Sequence, residues 1–225
     1  MTSADSNDSN AGPSVDSLSR AQRTDRILEV IVAIMMGIVA VATAWSGYQA
    51  ARWGGEQSTL YSRAGALRTE SVRASNQALS TILLDVDLFT QWVNARAQDR
   101  QDLAEFYRAR FRPGFDPAFE AWIATDPLNN ADAPRSPFSM PEYEIPAMVE
   151  SENLEEEAAQ TFEQGQTANE QADAYVLTAV LLASVLFFAG IASGFDWPPV
   201  QIGVIAVGFV LLVWGLYNLA TYPIL

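Results

Sequence analysis

Ile27–Trp45 reads ILEVIVAIMMGIVAVATAW, nineteen residues with a single charge, Glu29, near the start. Two later stretches are similar. Ala174–Gly194 (AYVLTAVLLASVLFFAGIASG) carries no charge, and neither does Trp197–Leu225. About 20 apolar residues cross the hydrocarbon of a bilayer, so three such stretches predict three transmembrane helices. No small-residue cleavage site closes the first stretch, and helix-compatible sequence runs on beyond it, so it reads as a span and not as a signal sequence. The expected fold class is an all-α membrane protein with a long antiparallel helical hairpin inserted between the first and second spans.

The order along the chain follows from this. Residues 1–19, rich in Ser, Asp and Asn, read as a disordered tail. Residues 20–46 form the first span with its basic flank, and 47–173 an extramembrane helical domain. The second span covers 174–194, and a short loop with the third span covers 195–225. Within the domain, Leu60, Ala64, Leu67, Ser71, Ala74 and Ala78 repeat at 4-3 spacing, continued by Ile82, Val86, Phe89 and Val93 after a local shift. The pattern predicts one helix over 57–112. Ala147, Ser151, Leu154, Ala158, Thr161, Gly165, Ala168 and Ala172 repeat the spacing in a second arm. This period is that of a coiled-coil seam, and small residues in it let two backbones approach closely. Ala158, Gly165 and Ala168 are therefore candidate helix-packing positions. Gly190 and Gly194, a GxxxG pair in the second span, are candidates for the same reason.

Charge supports pairing of the arms. Residues 52–112 carry nine Arg against seven acids, and 142–173 carry ten acids and no Arg. Glu155–Glu157 are expected opposite Arg63 and Arg68. Between the arms, residues 113–146 hold seven of the eleven prolines. Asp116 and Pro117 read as the N-cap and first turn of a short helix, with Phe119, Trp122 and Ile123 on its apolar face. The rest of that segment is irregular but too apolar for a free linker. The first arm, if straight, would extend ~85 Å at a ~1.5 Å rise. The second is less than half as long. Either the first arm folds back or the proline segment descends along it.

Composition excludes much chemistry. The chain of 225 residues has no Cys and no His, which removes thiolate chemistry, the common zinc sites and the Ser-His-Asp triad. The acidic run lacks the loop geometry calcium uses. Asp85 and Asp87 sit two residues apart on a helix and diverge. No catalytic residue, cofactor or metal is expected. A net charge of −14 argues against a nucleic-acid partner.

Trp45, Tyr48, Gln49, Arg52 and Trp53 follow i+3 and i+4 steps where the first span ends. Trp, Tyr and Arg suit a membrane interface, and Gln49 is the residue that such a belt does not need. The face is thus either an aromatic belt in the lipid or a polar and aromatic collar against other helices or subunits. Arg20, Arg23 and Arg26 before the first span favour a cytoplasmic N-terminus, which puts 47–173 outside. ATAWSGYQAARWGGEQ, AWIATDPLNNADAP and SPFSMPEY together resemble a family of uncharacterised bacterial membrane proteins. The resemblance implies a multi-pass protein of the bacterial inner membrane and no activity. The expected function is a non-enzymatic interaction protein, a homo-oligomer or an accessory subunit, with membrane lipid and a further protein as partners. The alternative is an oligomeric pore lined by Thr43, Ser46 and Gln49 beneath an acidic vestibule.

Overall fold

The computed structural model describes residues 15–127, 129–192, 194–195 and 197–225, with side chains from Arg26 onward. The expected tail at 1–19 lies outside the described residues up to residue 14, and 15–19 already belong to a helix. The described chain is helical and contains no strand. Its helices are α1 (Val15–Ala97), α2 (Gln101–Arg108), α3 (Asp116–Ala124), α4 (Pro146–Ala192) and α5 (Pro198–Thr221), with a 3-10 turn at Pro137–Ser139. Three of them, α1, α4 and α5, are long and apolar enough to cross a membrane. The chain divides into two units, one formed by residues 1–57 with 166–225 and the other by 58–165.

In the first unit, α1, α4 and α5 share an apolar core. Met35, Val39 and Ala42 meet Leu182, Val185 and Ala192, with Ile205 and Leu212 from α5. Glycines on α5 make the close contacts. A Cβ on Gly215 would lie 2.8 Å from Leu182 Cδ2, and one on Gly208 would lie 3.6 Å from Met35 and Phe188. Gly190 and Gly194, by contrast, are exposed. A Cβ on Gly190 would meet nothing within 4 Å, and one on Gly194 only the carbonyl of Ile191. Their small size is not used in packing within the chain, because the inward face of α4 here carries Leu182, Val185, Ala189 and Ala192.

In the second unit, rising numbers on α1 meet falling numbers on α4. Tyr61 stacks on Phe162 with ring centroids 5.0 Å apart, and Arg63 pairs with Glu157 at 2.8 Å. Ser71 and Ser151 each donate to the other's carbonyl, at 3.0 and 3.1 Å. Ala158 is fully buried, and a Cβ on Gly165 would come within 2.5 Å of the Tyr61 ring. In the first unit, Ala168 is also buried. Arg68 finds no acid. It lies over the Phe162 ring at 5.2 Å.

The first arm does not run as one helix to residue 112. It ends at Ala97, because Asp99 takes a left-handed φ of 58°. The Arg100 N–H then reaches the Ala95 carbonyl (2.9 Å) and the Asp99 N–H reaches Arg96 (3.1 Å). This is a Schellman closure, which satisfies the last carbonyls and turns the chain back. Phe111, Phe115, Phe119 and Trp122 consequently pack on Leu88, Phe89 and Trp92, with Phe138, Met140 and Tyr143 of the proline segment against them. The buried stripe of α1 also departs from expectation after Ala78. Val86 and Val93 point outward, and Asp85 and Ala95 point in. At α3, Phe115 occupies the N-cap and Asp116 the first turn, with no side-chain cap bond, because the preceding turn is already helical in geometry.

Two outcomes test this packing in thermal or denaturant unfolding. Ala158→Leu overfills a closed contact and lowers stability by ~1–3 kcal/mol. Asp99→Gly removes the left-handed strain of a residue with a Cβ and raises it by up to about 1 kcal/mol. No change in either variant would remove the seam or the turn from the list of determinants.

Candidate functional site

Two polar clusters carry chemistry that the helices alone do not require, one in each unit. The first is built where α1 and α4 accept the residues that follow α5. Ser46 donates to the Tyr175 carbonyl at 2.6 Å. The Tyr175 hydroxyl donates to the Pro223 carbonyl at 3.2 Å, and the Trp53 indole N–H donates to the same oxygen at 3.1 Å. The Gln49 Oε1 accepts from the Leu225 N–H at 3.3 Å, and the Tyr222 ring stands edge-on to Tyr175, 5.4 Å away. A carbonyl oxygen has two lone pairs, so Pro223 accepts both donors. Ser46, Gln49 and Tyr175 are fully buried, and Gln49 Nε2 is left without a partner. An unmet buried donor costs about 1–3 kcal/mol.

The five residues of the expected collar divide between two faces. Gln49 and Trp53 turn into this network. Trp45, Tyr48 and Arg52 are exposed. Tyr48 lies 5.8 Å from the Trp45 ring, and Arg52 donates to the Tyr48 hydroxyl at 3.2 Å. One helix therefore presents aromatic and basic side chains outward and a polar clamp inward. Thr178 and Ser184 bond back to the carbonyls of Ala174 and Val180 in their own helix. They make no bond to a neighbouring helix, a common fate for hydroxyls within helices.

The second cluster centres on Asp85, which is 1% exposed. Arg112 donates to Asp85 Oδ2 through Nη2 (2.9 Å) and Nε (3.3 Å), and the Tyr143 hydroxyl donates to the same oxygen at 3.1 Å. Oδ1 has no partner. Burial, then the Asp85 charge and its hydrogen bond, push the Tyr143 hydroxyl up to about 12, against the opposing pull of Arg112. The carboxylate ties α1, the turn before α3 and the proline segment together. Sequence reasoning set Asp85 aside, yet the signal was present. Position 85 lies seven residues after Ala78, on the strict heptad continuation of the seam.

The aromatic cluster borders an open groove of ≈ 730 Å³, with Trp92, Phe119 and Trp122 on its wall and Arg96 and Arg108 at its edge. Both guanidinium groups are engaged. Arg96 bonds Gln101 and lies over Trp92, and Arg108 pairs with Glu120 and lies over Phe119. Among the described residues no group of three or more acidic side chains is placed to hold a metal ion. No protein-family model, curated protein or solved structure matches the chain.

Tyr143 supplies a pH test. Its hydroxyl ionises at a higher pH in the folded chain than the ordinary value of 10.0. Its contribution is therefore complete below pH 10 and is lost as pH rises from about 10 to 12. Wild type should lose more stability than Tyr143→Phe across that window, and the difference in phenolate absorbance between them should show one tyrosine titrating late. Parallel curves would detach Tyr143 from Asp85. Ser46→Ala removes the buried hydrogen bond to the Tyr175 carbonyl and lowers stability by about 0.5–1.5 kcal/mol. An unchanged melting temperature would leave that bond without energetic weight.

Proposed function

We propose that this chain is a non-enzymatic integral membrane protein of the bacterial inner membrane that works as a homo-oligomeric scaffold or accessory interaction subunit. Its N-terminus is cytoplasmic, and residues 47–173 form an antiparallel helical hairpin outside the bilayer. The opposed pairs Tyr61–Phe162, Arg63–Glu157 and Ser71–Ser151 support the hairpin. The basic flank Arg20, Arg23 and Arg26 supports the orientation.

One observation carries the interaction reading. In the unit 58–165, which carries Arg68, Glu70, Arg73, Asp85 and Asp87, α1 leaves Val72, Leu79, Leu83 and Leu84 half exposed or more. The same unit buries an aromatic cluster completely enough that Phe115 and Phe119 are inaccessible. Aliphatic surface of this kind supports a partner there. The pore reading is weaker. Ser46 and Gln49, which the wall of a conduit between copies requires, are fully buried within one chain.

The particle mass in mild detergent tests the proposal. The expected value is a multiple of the 24.6 kDa chain after correction for bound detergent, and a monomer overturns the self-assembly. Orientation is tested in intact cells with a membrane-impermeant thiol reagent. Ala131→Cys should react and Asn10→Cys should not. The opposite labelling would invert the topology.

A further inference from the structure

Val72, Leu79, Val86 and Val93 recur every seven residues on α1, and Asn76, Leu83 and Thr90 recur every seven between them. All seven are exposed, with Leu83 at 69% and Val72 at 58%. The stripe lies roughly 140° round the helix from the buried positions Ser71, Ala74, Ala78 and Asp85, given about 3.5–3.6 residues per turn. So α1 carries a second seam on the side away from α4. We infer that this second seam joins copies of the chain in parallel, each residue opposite its own counterpart. The inference rests on the self-assembling membrane reading above and names its surface and register.

The period selects the occupant. A strict seven-residue repeat drifts about 20° per heptad on a straight helix, so it stays in contact only with a helix that supercoils at the same period. A second copy of α1 brings that period by identity. Charge agrees. Between Arg73 and Asp85 the helix has no charged residue, so identical faces meet there without repulsion. Arg68 and Arg73 mark the near end, where like charges would meet across a parallel seam. Size agrees too. From Val72 to Val93 is about 32 Å at a 1.5 Å rise, on the order of 300 Å² of footprint for a helix face about 10 Å wide. A patch of this size falls within the about 300–600 Å² that the largest patch of a typical monomer covers, a patch that is often functional. A standard interface needs about 800 Å² per partner, so this seam sets register while the membrane-crossing helices supply the remaining contact.

Direction follows from anchoring. Copies inserted in one bilayer by the same helix share one orientation, and a closed ring of such copies puts identical residues around its axis. In heptad terms Asn76, Leu83 and Thr90 are a positions, and Val72, Leu79, Val86 and Val93 are d positions. A Leu at a with β-branched residues at d shifts preference above two strands, and a single Asn at a fixes register. The expected assembly has three or four chains.

The chain has no cysteine, so one introduced thiol is unique. A disulfide needs Cα atoms about 4.4–6.8 Å apart, which a seam position meets and an off-seam position does not. In membranes holding the full chain, mild oxidation should link Leu83→Cys at least tenfold more than Gln77→Cys, an exposed neighbour off the stripe. Mixing Leu79→Cys with Leu83→Cys should give no excess of the mixed product. Leu83→Glu should reduce the detergent particle to one chain with helix content retained. Where Leu83→Glu does not fold, the crosslinking decides alone. Equal linking at 77 and 83, or an oligomeric particle without linking at 83, overturns the seam and leaves self-assembly standing. A preference for the mixed 79–83 product overturns the parallel register. A monomeric wild type overturns both this inference and the self-assembly it rests on.

Discussion

Two helices can approach closely only where one of them gives up side-chain volume, and that constraint recurs through this chain. In the second unit Gly165 yields to the Tyr61 ring, and Ala158 is fully enclosed. In the first unit Gly215 yields to Leu182, and Gly208 to Met35. Close approach brings backbone within reach of short hydroxyls. Ser71 and Ser151 exchange bonds with each other's carbonyls only because no larger residue stands between their helices. The contacts are dispersion first and hydrogen bonds second.

Most of the polar groups buried by this packing link segments distant in sequence. Asp85 collects Arg112 from 27 residues away and Tyr143 from 58 away. Ser46 meets Tyr175 across 129 residues. A buried ion pair adds little net stability, but removing one partner is expensive because the other is left uncompensated. Such groups penalise every arrangement but one. The reversal at Asp99 and the proline segment would otherwise rest on apolar contacts that tolerate slippage. With Asp85 in place, a register shift would bury a carboxylate without its cation.

Along α1 one helix divides its residues between packing and exposure. The two faces of α1 illustrate the division. One closes the fold against α4, while the other presents aliphatic residues at the same period to the outside.

Periodicity and length made the helical class and the three membrane-length segments readable from residues alone, because a bilayer and an α-helix impose simple, local requirements on sequence. The close positions Ala158, Gly165 and Ala168 were legible for the same reason. What a one-dimensional pattern could not decide was which of two interleaved stripes faces inward. After Ala78 both 82-86-89-93 and 85-92-95 satisfy helical spacing; Phe89 of the first set packs inward, but Val86 and Val93 do not. Only the return of Phe111–Tyr143 onto α1 supplied the arginine and hydroxyl that make burying Asp85 tolerable and leave Val86 and Val93 outside. Likewise, the Gly190–Gly194 pair is read from spacing, but Gly190 faces outward because α4 turns Leu182, Val185, Ala189 and Ala192 inward. The split of Gln49 and Trp53 from Trp45, Tyr48 and Arg52 depends on Pro223 and Leu225 reaching α1 from 170 or more residues away. Local sequence sets what a helix can offer; the neighbours brought by the tertiary fold decide which side is used.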